Sequence, residues 1–146
     1  MVPAERVLLV EDDPDDELLT RRTLKMNNLC NEVVVARDGA EALDYLFATG
    51  RYEGRDPGVM PQLIMLDLKL PKVDGPEVLK RIRADERTRL LPVVILTSSE
   101  EQEDVIDGHG LGANSYVRKP VDVGRFRTAV GQLGMHRMVS NETPRG

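Results

Sequence analysis

The chain has 146 residues, enough for one domain with its own hydrophobic core and without disulfide or metal staples. A single cysteine cannot form an internal bridge, and a net charge of -5 with no Trp, three Tyr and two Phe argues against a direct nucleic-acid binder, which needs a basic stripe and stacking platforms. No apolar stretch approaches the ~20 residues of a membrane-spanning helix, and Met1 to Glu5 lacks a signal-peptide core, so a soluble cytoplasmic protein is expected.

Apolar runs alternate with segments of helical period along the chain. Arg6 to Val10 reads as the first strand. A helix follows from Pro14 to about Asn27, with Pro14 where a first turn tolerates it and acids crowding that turn. Val33 to Ala36 reads as the second strand. The next helix, from Gly39 to about Ala48, carries Ala40, Leu43, Leu46 and Phe47 on one face. Gly50 to Pro61 holds three Gly and two Pro and reads as a loop, longer than the ~2–6 residues usual at this kind of connection.

Gln62 to Leu66 is a continuous apolar run after its first residue, which predicts a strand buried on both faces and ending at Asp67. Asp74 caps a third helix that starts at Gly75 and Pro76 and turns Val78, Leu79 and Ile82 inward. Pro92 to Leu96 predicts the fourth strand, Glu100 to about His109 a short helix, and Ser115 to Arg118 the fifth strand. The last helix runs from Val121 to about Met135, with Val123, Phe126, Val130 and Leu133 at helical spacing. Ser140 to Gly146 is polar and expected to be disordered. Cys30 reads as a small apolar residue near a strand start, and His109 and His136 as non-catalytic. Successive βα units with right-handed crossovers imply one parallel sheet covered by helices on both faces.

Open sheets of this kind bind ligands at the carboxyl ends of their strands. Four such ends carry chemistry: Glu11-Asp12, Asp67, Thr97-Ser98 and Lys119-Pro120. Acids favour helix N-termini, which accounts for Asp15 and Asp16, and for Asp13. Glu11 and Asp12 instead face Asp67, and three converging carboxylates repel one another unless a cation is present. Mg2+ fits, because it takes one or two carboxylates and keeps a face for a phosphoryl oxygen. Asp67 could serve as a capping carboxylate, a metal ligand or a nucleophile forming an aspartyl phosphate. In the last role it needs only positioning and charge neutralisation. The cation would cover one phosphoryl oxygen, Lys119 a second, and the Thr97 hydroxyl and Ser98 backbone N–H the rest. A cis Lys119–Pro120 bond would turn the ammonium toward the sheet mouth.

Together these segments resemble the receiver domain of two-component response regulators. The matching motifs are Val10-Glu11-Asp12-Asp13-Pro14, Leu66 to Gly75, Leu96-Thr97-Ser98 and Gly112 to Pro120, in family order and spacing from Arg6 to Leu133. The resemblance implies an α/β, doubly wound, five-stranded parallel sheet of order 2-1-3-4-5 with five flanking helices, the flavodoxin-like receiver fold. It places the receiver domain over residues 1–137 and a disordered tail over 138–146. By position, Asp67 is the phosphoacceptor and Glu11, Asp12 and the Lys69 carbonyl complete the metal site with it, for Mg2+ or alternatively Mn2+. Thr97, Ser98 and Lys119 bind the phosphoryl group, and Thr97 with the aromatic Tyr116 forms the switch. Glu11 departs from the aspartate of many members, which suits a water-mediated metal contact. The Gly50–Pro61 loop is similar to that of small single-domain regulators paired with bacterial phytochromes. That likeness implies a phytochrome-type sensor histidine kinase as partner, a homodimer through the fourth and fifth βα units, and a possible downstream phosphotransfer protein, with no nucleic acid or membrane. The expectation is a signalling switch, not an enzyme beyond its own phosphorylation and dephosphorylation.

An aspartate-nucleophile phosphatase usually has a second aspartate two positions on, where this chain has Lys69. A non-phosphorylated module on the same fold would be expected to have lost Asp67, Lys119 or the acidic pair. Flavin binding suits neither the few aromatics nor an acidic first loop facing a phosphate.

Overall fold

A computed structural model describes residues 6–26, 32–99, 102, 110 and 112–132. Five parallel strands are present: β1 Arg6–Val10, β2 Glu32–Ala36, β3 Leu63–Asp67, β4 Val93–Thr97 and β5 Ser115–Arg118. Their order is β2-β1-β3-β4-β5, as the family resemblance implied. Four α-helices are described: α1 Pro14–Met26, α2 Gly39–Phe47, α3 Gly75–Ala84 and α4 Val123–Gln132. The helix expected over Glu100 to His109 lies, except for Gln102, outside the described residues. So do Cys30, both histidines and the tail.

Period-two alternation in strands covered on both faces divides the core into two layers. Leu8, Val10, Ile64, Leu66, Val93 and Ile95 pack toward α2 and α3, meeting Leu43, Leu46, Val78, Leu79 and Ile82. Val7, Leu9, Met65, Val94 and Leu96 pack toward α1 and α4, meeting Leu24, Phe126 and Val130. The four residues of β3 before Asp67 and the four of β4 before Thr97 are all fully buried, at ~1.5–3 kcal/mol of apolar transfer for each large side chain. That burial anchors both strands up to the residues that carry the site.

Side-chain caps set where helices begin. Asp38 accepts a hydrogen bond from the Glu41 N–H at 2.7 Å, and Asp74 from the Glu77 N–H at 3.1 Å, so both α2 and α3 are N-capped by aspartate. Helix α2 ends at Ala48, which adopts φ 56 as a left-handed cap. Its buried face is wider than the apolar pattern suggested. Ala42 and Tyr45 are buried, whereas Ala40 and Phe47 are only half-buried. The reason is the Gly50–Pro61 segment, which contains a single turn of 3-10 helix over Gly50–Tyr52 and folds back over α2. Arg55 fastens it: the guanidinium donates to the Tyr45 carbonyl at 2.7 Å and the Leu46 carbonyl at 3.3 Å, and lies 4.1 Å over the Tyr45 ring. The segment is thus a largely exposed loop, as expected, pinned across α2 through Tyr52 and Arg55.

Candidate functional site

Four strand ends converge at one edge of the sheet. Glu11 follows β1 and is held by its N–H donating to the Ala36 carbonyl at 2.9 Å, which leaves the side chain fully buried beneath the mouth. Asp12 beside it is exposed. Asp67 is the last residue of β3 and is 7% exposed. The register pairs Asp67 with Leu96 and Thr97 with Arg118, so the buried Thr97 and then Lys119 stand next across the sheet. The Lys119 N–H donates to the Thr97 carbonyl at 2.7 Å, and the Lys119–Pro120 bond is cis.

The Lys119 ammonium is the hub of the mouth. Its Nζ lies 3.0 Å from Asp67 Oδ2, 3.0 Å from Asp16 Oδ2 and 3.2 Å from Glu11 Oε1. Burial disfavours the charged lysine, but the charge of Asp67, with the contacts to Asp16 and Glu11, outweighs it and raises the Lys119 pKa. Glu11 shifts most among the carboxylates. Burial first, then the hydrogen bond and charge of Asp67, push it up to about 8 against the pull of Lys119. Among the described residues, four carboxylates, Glu11, Asp12, Asp16 and Asp67, thus gather around one lysine.

Ligand oxygens of Glu11, Asp12 and Asp67 all lie within 4.8 Å of one another. Glu11 Oε1, although 3.2 Å from the Lys119 ammonium, makes no aligned hydrogen bond and is buried. Hard oxygen donors at this spacing, one of them without a hydrogen bond, fit a small divalent cation. The Lys69 N–H donates to Asp67 Oδ1 at 3.4 Å, bringing that backbone to the same side chain. Ser98 is exposed, and its N–H donates to Gln102 Oε1 at 2.6 Å. Tyr116 on β5 is half-buried against the layer under α2 and α3.

Of the anticipated residues, the side chains of Glu11, Asp12, Asp67 and Lys119 come together at one mouth, with Thr97 on the strand beside Asp67. The sequence pattern places Asp16 with Asp15 as a helix-dipole acid, yet its side chain reaches Lys119. Asp13 takes the capping role, its Oδ1 accepting from the Asp15 N–H at 2.8 Å and the Asp16 N–H at 3.3 Å. The available signal was position: Asp16 lies in the first turn of α1, directly after the acidic pair Glu11-Asp12.

A doubly wound sheet with this mouth defines a signalling receiver, and the chain belongs to the response regulator receiver domain family, matched over residues 7–131. It is a receiver of two-component signalling whose relatives include phytochrome response regulators. The response regulator Rcp1 of Synechocystis sp. is 40% identical over 117 residues, covering 80% of this chain and 78% of Rcp1. The bacteriophytochrome response regulator RtBRR superposes with a TM-score of 0.88 at 48% identity, over 99% of this chain and 86% of RtBRR. The bacteriophytochrome response regulator AtBRR does so with a TM-score of 0.86 at 50% identity, over 92% of this chain and 95% of its own.

Proposed function

We propose that this protein is a phosphorylation switch in which Asp67 accepts a phosphoryl group from a phosphohistidine of a phytochrome-type sensor histidine kinase. One Asp67 oxygen attacks phosphorus as the P–N bond breaks and the imidazole leaves with that electron pair. An ionised carboxylate is already nucleophilic, so no general base is needed. Glu11, Asp12, Asp67 and the Lys69 carbonyl would hold Mg2+ or Mn2+, which supplies positive charge to a phosphoryl oxygen. Lys119 meets a second oxygen, and the Thr97 hydroxyl and the Ser98 N–H meet the others once Ser98 leaves Gln102. Thr97 and Tyr116 then reorient, altering the surface around the fourth and fifth βα units, where a second copy would dock. Phosphorylation and dephosphorylation of Asp67 are the only chemistry assigned, and output passes to a partner, through assembly, or onward by phosphotransfer.

The observation that carries this reading is the Lys119 ammonium 3.0 Å from Asp67 at a mouth that also gathers Glu11 and Asp12. The kinase partner rests on RtBRR and AtBRR being bacteriophytochrome response regulators, and the cation on that mouth together with a Mn(2+)-bound form of Rcp1. The test is labelling by acetyl phosphate with Mg2+, followed by intact mass. The natural chain should gain one phosphoryl group and Asp67→Asn none, with its melting behaviour retained. Continued labelling of Asp67→Asn would remove the proposal.

A further inference from the structure

Lys119 has three N–H donors and three carboxylate partners, and those partners are not equivalent. Glu11 and Asp67 belong to the trio whose oxygens lie within 4.8 Å of one another, and Asp16 does not. The ammonium therefore occupies oxygens of two members of that trio, 3.2 Å from Glu11 Oε1 and 3.0 Å from Asp67 Oδ2. A lysine and a divalent cation repel each other and compete for the same oxygens. When the trio takes up a cation, Lys119 must give up contacts to Glu11 and Asp67, and a half-buried ammonium left without a counter-ion is costly. Asp16 is the one partner it can keep. It projects from the first turn of α1, already 3.0 Å from Nζ, and its backbone is fixed by the N–H bond to Asp13 Oδ1 at 3.3 Å.

We infer that Asp16 is a positioning residue: it holds Lys119 beside the mouth while Glu11 and Asp67 change partners, so that the lysine neither blocks the cation nor leaves the place where a phosphoryl oxygen arrives. This rests on the phosphoacceptor reading and adds to it a residue that touches neither the cation nor the phosphoryl group. The lysine's identity alone does not provide this, because any site with a competing ammonium needs a counter-ion outside the ligand set.

The experiment is Mg2+ binding to the full chain, by calorimetric titration, without any phosphodonor. Asp15→Asn is the charge control. It removes the same charge from the same turn, at an exposed residue one position away, and should weaken binding only about two- to threefold. Asp16→Asn should weaken it about tenfold or more, because Lys119 then falls back on the trio, while Asp16→Glu should recover most of the loss. In a Lys119→Met background no ammonium needs holding, so Asp16→Asn should shrink to the effect of Asp15→Asn. Equal effects of the two Asn variants in the natural chain would overturn the inference. So would an excess loss for Asp16→Asn that persists in the Lys119→Met background, since that would make Asp16 a direct contributor to the cation site. A natural chain that takes up no Mg2+ would overturn the proposed function itself.

Discussion

The turn behind Asp67 has no room for a methyl group, and that gives Gly75 a role in both stability and chemistry. Gly75 opens α3, and its N–H donates to the Leu68 carbonyl at 3.0 Å. A Cβ built there would lie 2.5 Å from the Asp67 carbonyl oxygen, 2.6 Å from Leu68 Cα and 2.9 Å from the Leu68 carbonyl oxygen. All three are backbone atoms, so no rotamer relieves the clash. Ordinary contact distances of about 3.5 Å require the helix start or the Asp67–Leu68 backbone to move by roughly 1 Å. Overpacking of this kind costs ~1–3 kcal/mol, partly offset by the helix preference of Ala over Gly, at most ~1 kcal/mol. Gly75→Ala should therefore lose about 1–2 kcal/mol, lowering Tm by roughly 2–8 °C for a chain of this size. If the strain is relieved by moving Asp67, phosphorylation slows as well, since a misplacement near 1 Å can cost about a hundredfold. Thermal unfolding and the rate of labelling by acetyl phosphate in Mg2+ read the two effects. Gly58→Ala is the control: Gly58 is exposed and its Cβ would meet only the Asp56 carboxylate, at 3.3 Å, so a change within about 0.5 kcal/mol is expected. A Gly75→Ala protein that melts and labels like the natural chain would refute the steric reasoning.

Glu11 supplies a pH prediction. Its carboxyl titrates near 8 in the folded chain and near 4.5 unfolded, so between those values the folded state binds the extra proton. Stability from this group is complete at acid pH and is lost as pH rises through the folded value. In chelator-treated protein, Glu11→Gln should gain about 2–4 kcal/mol relative to the natural chain between pH 5 and 8 by urea unfolding; a difference that stays flat across that range would contradict the shift. Arg55→Met should cost about 1–3 kcal/mol, because it gives up the bonds to Tyr45 and Leu46 and the stacking on Tyr45. Amide exchange should then quicken over residues 50–61 and nowhere else, and unchanged exchange there would show that the loop is held by other contacts.

The fold was legible because its central strands are buried on both faces. Runs such as Leu63-Ile64-Met65-Leu66 and Val93-Val94-Ile95-Leu96 have no polar face to present to water, and only a sheet with helices on both sides accepts them. Strand ends were read to within a residue. Asp67 and Thr97 are the last residues of β3 and β4, not the first beyond them, because backbone pairing continues past the apolar run. The width of the buried face of α2 was not legible. Tyr45 and Glu41 are polar-tipped, and their burial depends on a tertiary event, the return of Arg55 and Tyr52 over the helix. Tyr52 donates its hydroxyl to Glu41 Oε2 at 2.9 Å, which lets that carboxylate lie buried. The role of Asp16 was hidden for a related reason: a helix-dipole acid and a lysine counter-ion look alike until β5 delivers Lys119 from more than a hundred residues away.

Charge balance connects the site to the proposed switch. Glu11, Asp12, Asp16 and Asp67 oppose a single Lys119 at the mouth, and a phosphoryl group would add further negative charge. Two features offset the excess: Lys119 contacts Glu11, Asp16 and Asp67, and burial, with Asp67 beside it, raises the affinity of Glu11 for a proton. Both devices occupy oxygens that a cation would use, so they hold the site in a defined arrangement without closing it. Either the ammonium or the proton can leave while the backbone stays in place, because β1 and β3, which carry Glu11 and Asp67, are buried up to their last positions. A rigid sheet with exchangeable positive charge at its mouth confines rearrangement to the strand tips and the loops that follow them. That is the part of a receiver a partner can read.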